Sequence, residues 1–119
     1  MGVRLIVEIL DNAPADMSAA ERLLLIALAE KASDQTRQVL WRKNEDPREV
    51  LAGRVGVSPA GLTKVFGRLA SRGLDPRVPL RTDRQGRPVF AFVGTLGRYR
   101  VPVLAPARGS PGGDPLEPE

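Results

Sequence analysis

Leu62, Val65, Phe66 and Leu69 recur at i, i+3, i+4 and i+7, the spacing of one apolar helical face, and Ser58-Pro59 opens the helix that carries them. Just upstream, Leu51, Ala52 and Val55 mark a shorter helix that Gly56-Val57 interrupts. Residues 48–67 therefore read as two helices joined by a tight turn. A steep crossing of two short helices leaves little room at the contact, and Ala52 supplies the small side chain. The reversal needs one residue at positive φ, which Gly56 adopts without Cβ strain. Val55, Val57, Leu62 and Val65 then face each other across the turn.

Capping signals agree with this register. Asp46-Pro47-Arg48-Glu49 places an acid at the N-cap, proline at the first helical position and glutamate three residues after the cap, the spacing of a capping box. Ser58-Pro59 repeats the start signal, and Gly73 is the expected stop of the second helix. A second box, Ser18-Ala19-Ala20-Glu21, opens a run of good helix formers up to about Ser33. Leu23, Leu24, Ile26, Ala27 and Leu28 cover so much of its circumference that this helix is expected to be central, with a dimerisation helix as the alternative.

The N-terminal run 3–10, VRLIVEIL, fits both a helical stripe through Val3, Ile6, Val7 and Leu10 and an alternation through Leu5, Val7 and Ile9. A short helix is the preferred reading, ended by Asp11-Asn12-Ala13-Pro14. Val39-Leu40-Trp41 reads as a short strand that pairs with a later hairpin, with Trp41 in the core rather than stacking on a base. Val78 to Thr82 looks extended, Asp83-Arg84-Gln85-Gly86 has a turn pattern, and residues 87–93 return as a strand with Pro88 near its beginning. Tyr99-Arg100-Val101 adds a further short strand. From Ala105 onward proline and glycine dominate, and residues 105–119 are expected to be a disordered tail.

Composition narrows the chemistry. The 119 residues contain neither cysteine nor histidine, which removes disulfides, thiolate metal sites and the commonest general base. No nucleophile–base pair, metal-ligand cluster or phosphate-binding loop is visible, so the chain is not expected to be an enzyme and no cofactor, metal or small-molecule ligand is expected. No apolar run is long enough to span a bilayer, and the acids in MGVRLIVEILDN argue against a secretion signal, so the expected location is cytoplasmic. Charge is unevenly divided. Residues 1–49 hold seven basic and nine acidic side chains, whereas residues 50–104 hold ten basic side chains and only Asp75 and Asp83 as acids. A net +8 that begins inside the paired helices points to a polyanion. Arginine outnumbers lysine fifteen to three, as in GC-rich bacterial genomes.

Leu51, Ala52, Val55, Gly56, Val57, Leu62 and Val65 together resemble the helix-turn-helix of DNA-binding regulators. With MSAAERLLLIALAEKA ahead of a strand ending in Trp41, and with RGL and the basic hairpin TDRQGRPVF behind, the resemblance extends over about 17–102. It is closest to compact winged helix-turn-helix modules of short actinobacterial regulators and of phage and plasmid replication proteins. The implied fold is mainly α with a small β-sheet: a three-helix core plus a β-hairpin wing over residues 17–104. Residues 1–16 are an apolar segment that packs on this domain or mediates dimerisation.

The resemblance implies sequence-specific binding of double-stranded DNA, with helix 59–72 in the major groove and hairpin 78–93 as the wing. Ala60, Gly61, Thr63 and Lys64 then face base edges, and Gly67 allows close approach to the sugar-phosphate backbone. Ser58 offers a hydroxyl and backbone amides to a phosphate. Arg54, Arg68 and Arg72 flank the duplex, and Arg84 and Arg87 reach the adjacent minor groove. The expected role is transcriptional regulation, with a homodimer through the N-terminal segment. The alternatives are an accessory replication or maintenance factor of a mobile element and a winged-helix adaptor for another protein.

Overall fold

The fold comes from a computed structural model in which residues 2–90 and 97–104 are described. It is mainly helical. Four helices, α1 (Val3–Asn12), α2 (Ala19–Glu30), α3 (Pro47–Val55) and α4 (Pro59–Ser71), precede four two-residue strands, β1 (Arg77–Val78), β2 (Arg81–Thr82), β3 (Pro88–Val89) and β4 (Arg98–Tyr99).

α2 is the centre of the helical layer and touches α1, α3 and α4. Its start is the expected reciprocal box: Ser18 Oγ accepts the Glu21 N–H at 3.2 Å, and Glu21 Oε1 accepts the Ser18 N–H at 3.1 Å. Leu24, Leu25 and Leu28 are fully enclosed. The helix ends at Glu30, earlier than Ser33, because Ala32 already bridges Val39 in extended geometry. The ambiguous N-terminal run is helical and adds α1 to the expected three-helix core. Leu5 and Ile9 enter that core, and the helix starts hard against α2. A Cβ on Gly2 would lie 2.0 Å from the Ala29 carbonyl oxygen, so only glycine permits this approach.

α3 and α4 meet as their apolar spacing predicts. Leu51, Ala52 and Val55 of α3 and Leu62, Val65, Phe66 and Leu69 of α4 are buried. Gly56 closes α3 in the left-handed region at φ 82°, and the N–H groups of Gly56 and Val57 both reach the Ala52 carbonyl, at 2.9 and 3.0 Å. The α3 cap is simpler than the expected box. Asp46 Oδ1 accepts the Arg48 N–H at 3.1 Å, and Glu49 is exposed. α4 stops at Ser71, followed by Gly73 at φ 77°.

β1 and β4 sit beside α4, through Arg77 and Tyr99 on the Phe66 ring. β1 pairs antiparallel with β4, Arg77 opposite Tyr99, and Gln38 bridges Arg100 on the other side of β4. The 39–41 segment thus joins the sheet through Val39, whose N–H reaches the Tyr99 carbonyl at 3.0 Å. Tyr99 links the layers: it stacks on Phe66 at 5.7 Å and receives the edge of Trp41 at 5.9 Å. Trp41 is half-buried and packs against the core, as expected. β2 and β3 form a separate hairpin in which Arg81 opposes Val89 and Thr82 opposes Pro88. Residues 91–93 of the expected returning strand and the whole of the expected tail 105–119 lie outside the described residues.

Candidate nucleic-acid interface

The start of α4 is assembled from local groups. Ser58 Oγ accepts the Gly61 N–H at 3.1 Å, the Ser58 carbonyl accepts the Leu62 N–H at 2.8 Å, and Pro59 occupies the first turn. Since that oxygen acts as acceptor in the cap, the hydroxyl proton of the exposed Ser58 can still be donated outward.

Burial of the stripe Leu62, Val65, Phe66 and Leu69 turns Ala60, Thr63, Lys64, Gly67 and Arg68 towards solvent. Five of the residues proposed from the sequence therefore share one open surface that carries no large apolar side chain. Gly67 has open space around it, since a Cβ there would meet nothing within 4 Å. Gly61 stands apart. It is half-buried, and a Cβ on it would lie 3.1 Å from Val57 Cβ, so it serves the close approach of helix to turn rather than the outer surface.

Thr63 is held from α3. Arg48 Nη2 donates to Thr63 Oγ1 at 2.7 Å and to the Pro59 carbonyl at 2.9 Å, and the Thr63 hydroxyl lies 3.3 Å from that same carbonyl. Sequence reasoning missed Arg48 here, because its partners lie eleven and fifteen residues away and no local spacing signals them.

The basic residues proposed from the sequence divide into two groups. Arg72 is anchored in the body: its Nε donates to Glu21 Oε2 at 2.9 Å and its Nη1 to Asp16 Oδ1 at 3.0 Å. Glu21 is almost wholly buried, and burial pushes its carboxyl pKa up. The Ser18 backbone and hydroxyl and the Arg72 guanidinium outweigh this and hold it below the usual carboxylate value. Arg54 meets Glu30 at 2.7 Å on the surface, and its hydrogen bond lowers the Glu30 pKa. Arg87 leans on Asp83 at 3.3 Å. Among the described residues, Lys64, Arg68 and Arg84 are exposed and carry no ion pair.

The hairpin tip is organised by Asp83. Its Oδ1 accepts the N–H groups of Gln85 and Arg87, each at 2.9 Å, and Gly86 turns the chain at φ 80°. The hairpin base is pinned by Arg77, which grips Asp75 through two nitrogens at 2.9 and 2.8 Å. Its guanidinium lies 5.2 Å from the Phe66 ring centre and 4.2 Å from that of Phe90.

Among the described residues no group of three carboxylates could hold a metal ion, and no helix is long and apolar enough to cross a membrane. Fold and surface together define a small, mainly helical protein with an open, basic α4 face. Comparison of the chain with protein-family models, curated proteins and solved structures finds no match in any of the three.

Proposed function

We propose that this chain is a winged helix-turn-helix protein that binds double-stranded DNA in a sequence-dependent manner, as a cytoplasmic transcriptional regulator. α4 enters the major groove, and the hairpin around Asp83–Gly86 is the wing. The observation that carries the reading is the outer surface of α4. Ala60, Thr63, Lys64 and Gly67 are exposed together on a helix whose opposite side is locked into the core. A surface of small side chains with one central lysine fits the close approach of a groove wall and a phosphate backbone. The element order also fits: helix, bridged segment at Val39, helix, turn, helix, then the β2–β3 hairpin, with β4 following it to lie between β1 and the segment at Gln38.

In this arrangement Ser58 and Arg68 take phosphates, Arg84 is the leading wing contact, and Arg54 and Arg87 join once they leave Glu30 and Asp83. Arg72 holds the body instead. Direct readout is modest, because none of Ala60, Thr63 and Lys64 is a bidentate base reader, and DNA shape contributes the remainder.

The test is a binding titration on random and selected duplexes at several salt concentrations. Affinity should fall steeply with salt, following the release of counterions from several phosphates. The Arg84→Ala/Arg87→Ala double variant should lose affinity for all duplexes, and its salt slope should shrink by up to about 2. Lys64→Ala should instead erode the preference for the selected duplex, by roughly 1 to 3 kcal/mol for each base that is no longer read. No measurable binding at low salt would overturn the reading in favour of a protein partner for the same face.

A further inference from the structure

Among the described residues the outward side of α1 has no partner, and it is apolar. Val3, Val7 and Leu10 are 54%, 48% and 55% exposed, although the helix buries Leu5 and Ile9 on its other side. Their spacing of four and three residues sets them in one stripe along most of the helix, with half-buried Ile6 beside it.

A charged pair borders the stripe. Arg4 and Asp11 are exposed, lie seven residues apart and so share one flank two turns from each other. Their Cα atoms are separated by about 10 Å along the axis, so they do not pair with each other as neighbours on one helix do. Among the described residues neither side chain has a hydrogen-bond or ion-pair partner. Glu8, by contrast, is already engaged by Arg37 at 2.6 Å.

We propose that this stripe is the contact of a two-fold symmetric dimer. The α1 helices of two copies of this chain run antiparallel, Val3, Val7 and Leu10 interleave, and Arg4 of each copy faces Asp11 of the other. A two-fold contact requires a patch complementary to itself. A flank with a cation near one end and an anion near the other meets that condition when the helices run antiparallel, since each flank then faces its own counterpart. In a parallel pair the Arg4–Asp11 flank of each copy faces the Ile6 flank of the other, and the charges find no partner. An anionic lipid surface is a poor occupant, because α1 carries Glu8 and Asp11 against Arg4 alone. Ten-residue helices cover a small area, so the dimer is weak by itself. If the DNA reading holds, two neighbouring half-sites raise the effective concentration of one copy near the other. The contact itself does not depend on that reading.

Sedimentation equilibrium of the full chain without DNA, over a wide concentration range, tests the proposal for the parent, Arg4→Asp, Asp11→Arg and an equimolar mixture of the two variants. The parent should dimerise reversibly. Each variant places like charges opposite each other twice, so its dissociation constant should rise about tenfold or more. The mixture should regain the parent's association, because aspartate at position 4 then faces arginine at position 11. All these positions are exposed, and far-UV circular dichroism checks that the fold is kept. A parent that stays monomeric throughout, or variants that dimerise like the parent, would overturn the proposal. So would a monomeric parent that cosediments with anionic vesicles. None of these outcomes touches the DNA reading, which is measured separately.

Discussion

Arg72 Nε donates to Glu21 Oε2 across 2.9 Å, and this bond ties the end of α4 to the first turn of α2. The same Glu21 carboxylate closes the α2 cap through Ser18. One buried acid therefore joins the central helix to the proposed recognition helix. The angle between them depends on an arginine that charge alone would assign to DNA.

That relationship separates Arg72 from Arg68. Arg72→Ala should lower the urea midpoint, because it removes a charged partner from a buried carboxylate, and should leave the salt slope of DNA binding unchanged. Arg68→Ala should do the reverse, leaving stability intact and reducing the slope by up to about 1. Unfolding and binding titrations on both variants check this. A reduced slope in the folded Arg72 variant would return that residue to the interface.

Acid should destabilise the protein at a definable point. Glu8, Glu21, Glu30 and Glu45 all have folded-state pKa values below the ordinary 4.5. The causes are hydrogen bonds from Arg37, from Ser18 and Arg72 against the opposing effect of burial, from Arg54, and from Lys31 respectively. Depressed carboxylates contribute stability that is fully present above the unfolded value and is lost as pH falls through the folded values. With no histidine in the chain, urea midpoints should be nearly level between about pH 6 and 8 and should fall below about pH 4.5. A decline already visible between pH 8 and 6 would contradict the assignment.

Leu62 is fully buried between α3 and α4. Leu62→Ala should cost roughly 2 to 5 kcal/mol, as truncation of an enclosed leucine does. Thermal and urea unfolding measure it, and an unchanged melting temperature would mean that the α4 stripe does not face the core.

Thr63 offers a sharper test of the interface. Its hydroxyl is engaged by Arg48 at 2.7 Å, so the methyl group is what remains for an outside partner. Thr63→Val should preserve preference for the selected duplex better than Thr63→Ser, which keeps the hydroxyl and deletes the methyl. Competition titrations against scrambled DNA distinguish them, and the opposite order would mean that the hydroxyl leaves Arg48 to read a base.

What the amino-acid sequence determined by itself is what acts within about four residues along the chain. The Ser18 and Ser58 caps and the left-handed Gly56 are satisfied by backbone groups one turn away, and the α3 and α4 apolar positions follow the helical period, so their spacing is their structure. The hairpin turn at Asp83–Gly86 was legible for the same reason. Only the tertiary structure decided the long-range partners. Gly2 against Ala29, Arg48 on Thr63, Arg77 across Phe66 and Arg72 on Glu21 all join separate elements. Two local expectations were not met: Glu49 stays exposed without closing the α3 cap, and Gly61 is taken up by the close approach of Val57, four residues back. Arginine makes this division acute: its long, flexible stem reaches any carboxylate that packing brings near. A sequence therefore shows how much positive charge there is, but packing decides which guanidinium groups stay turned towards solvent.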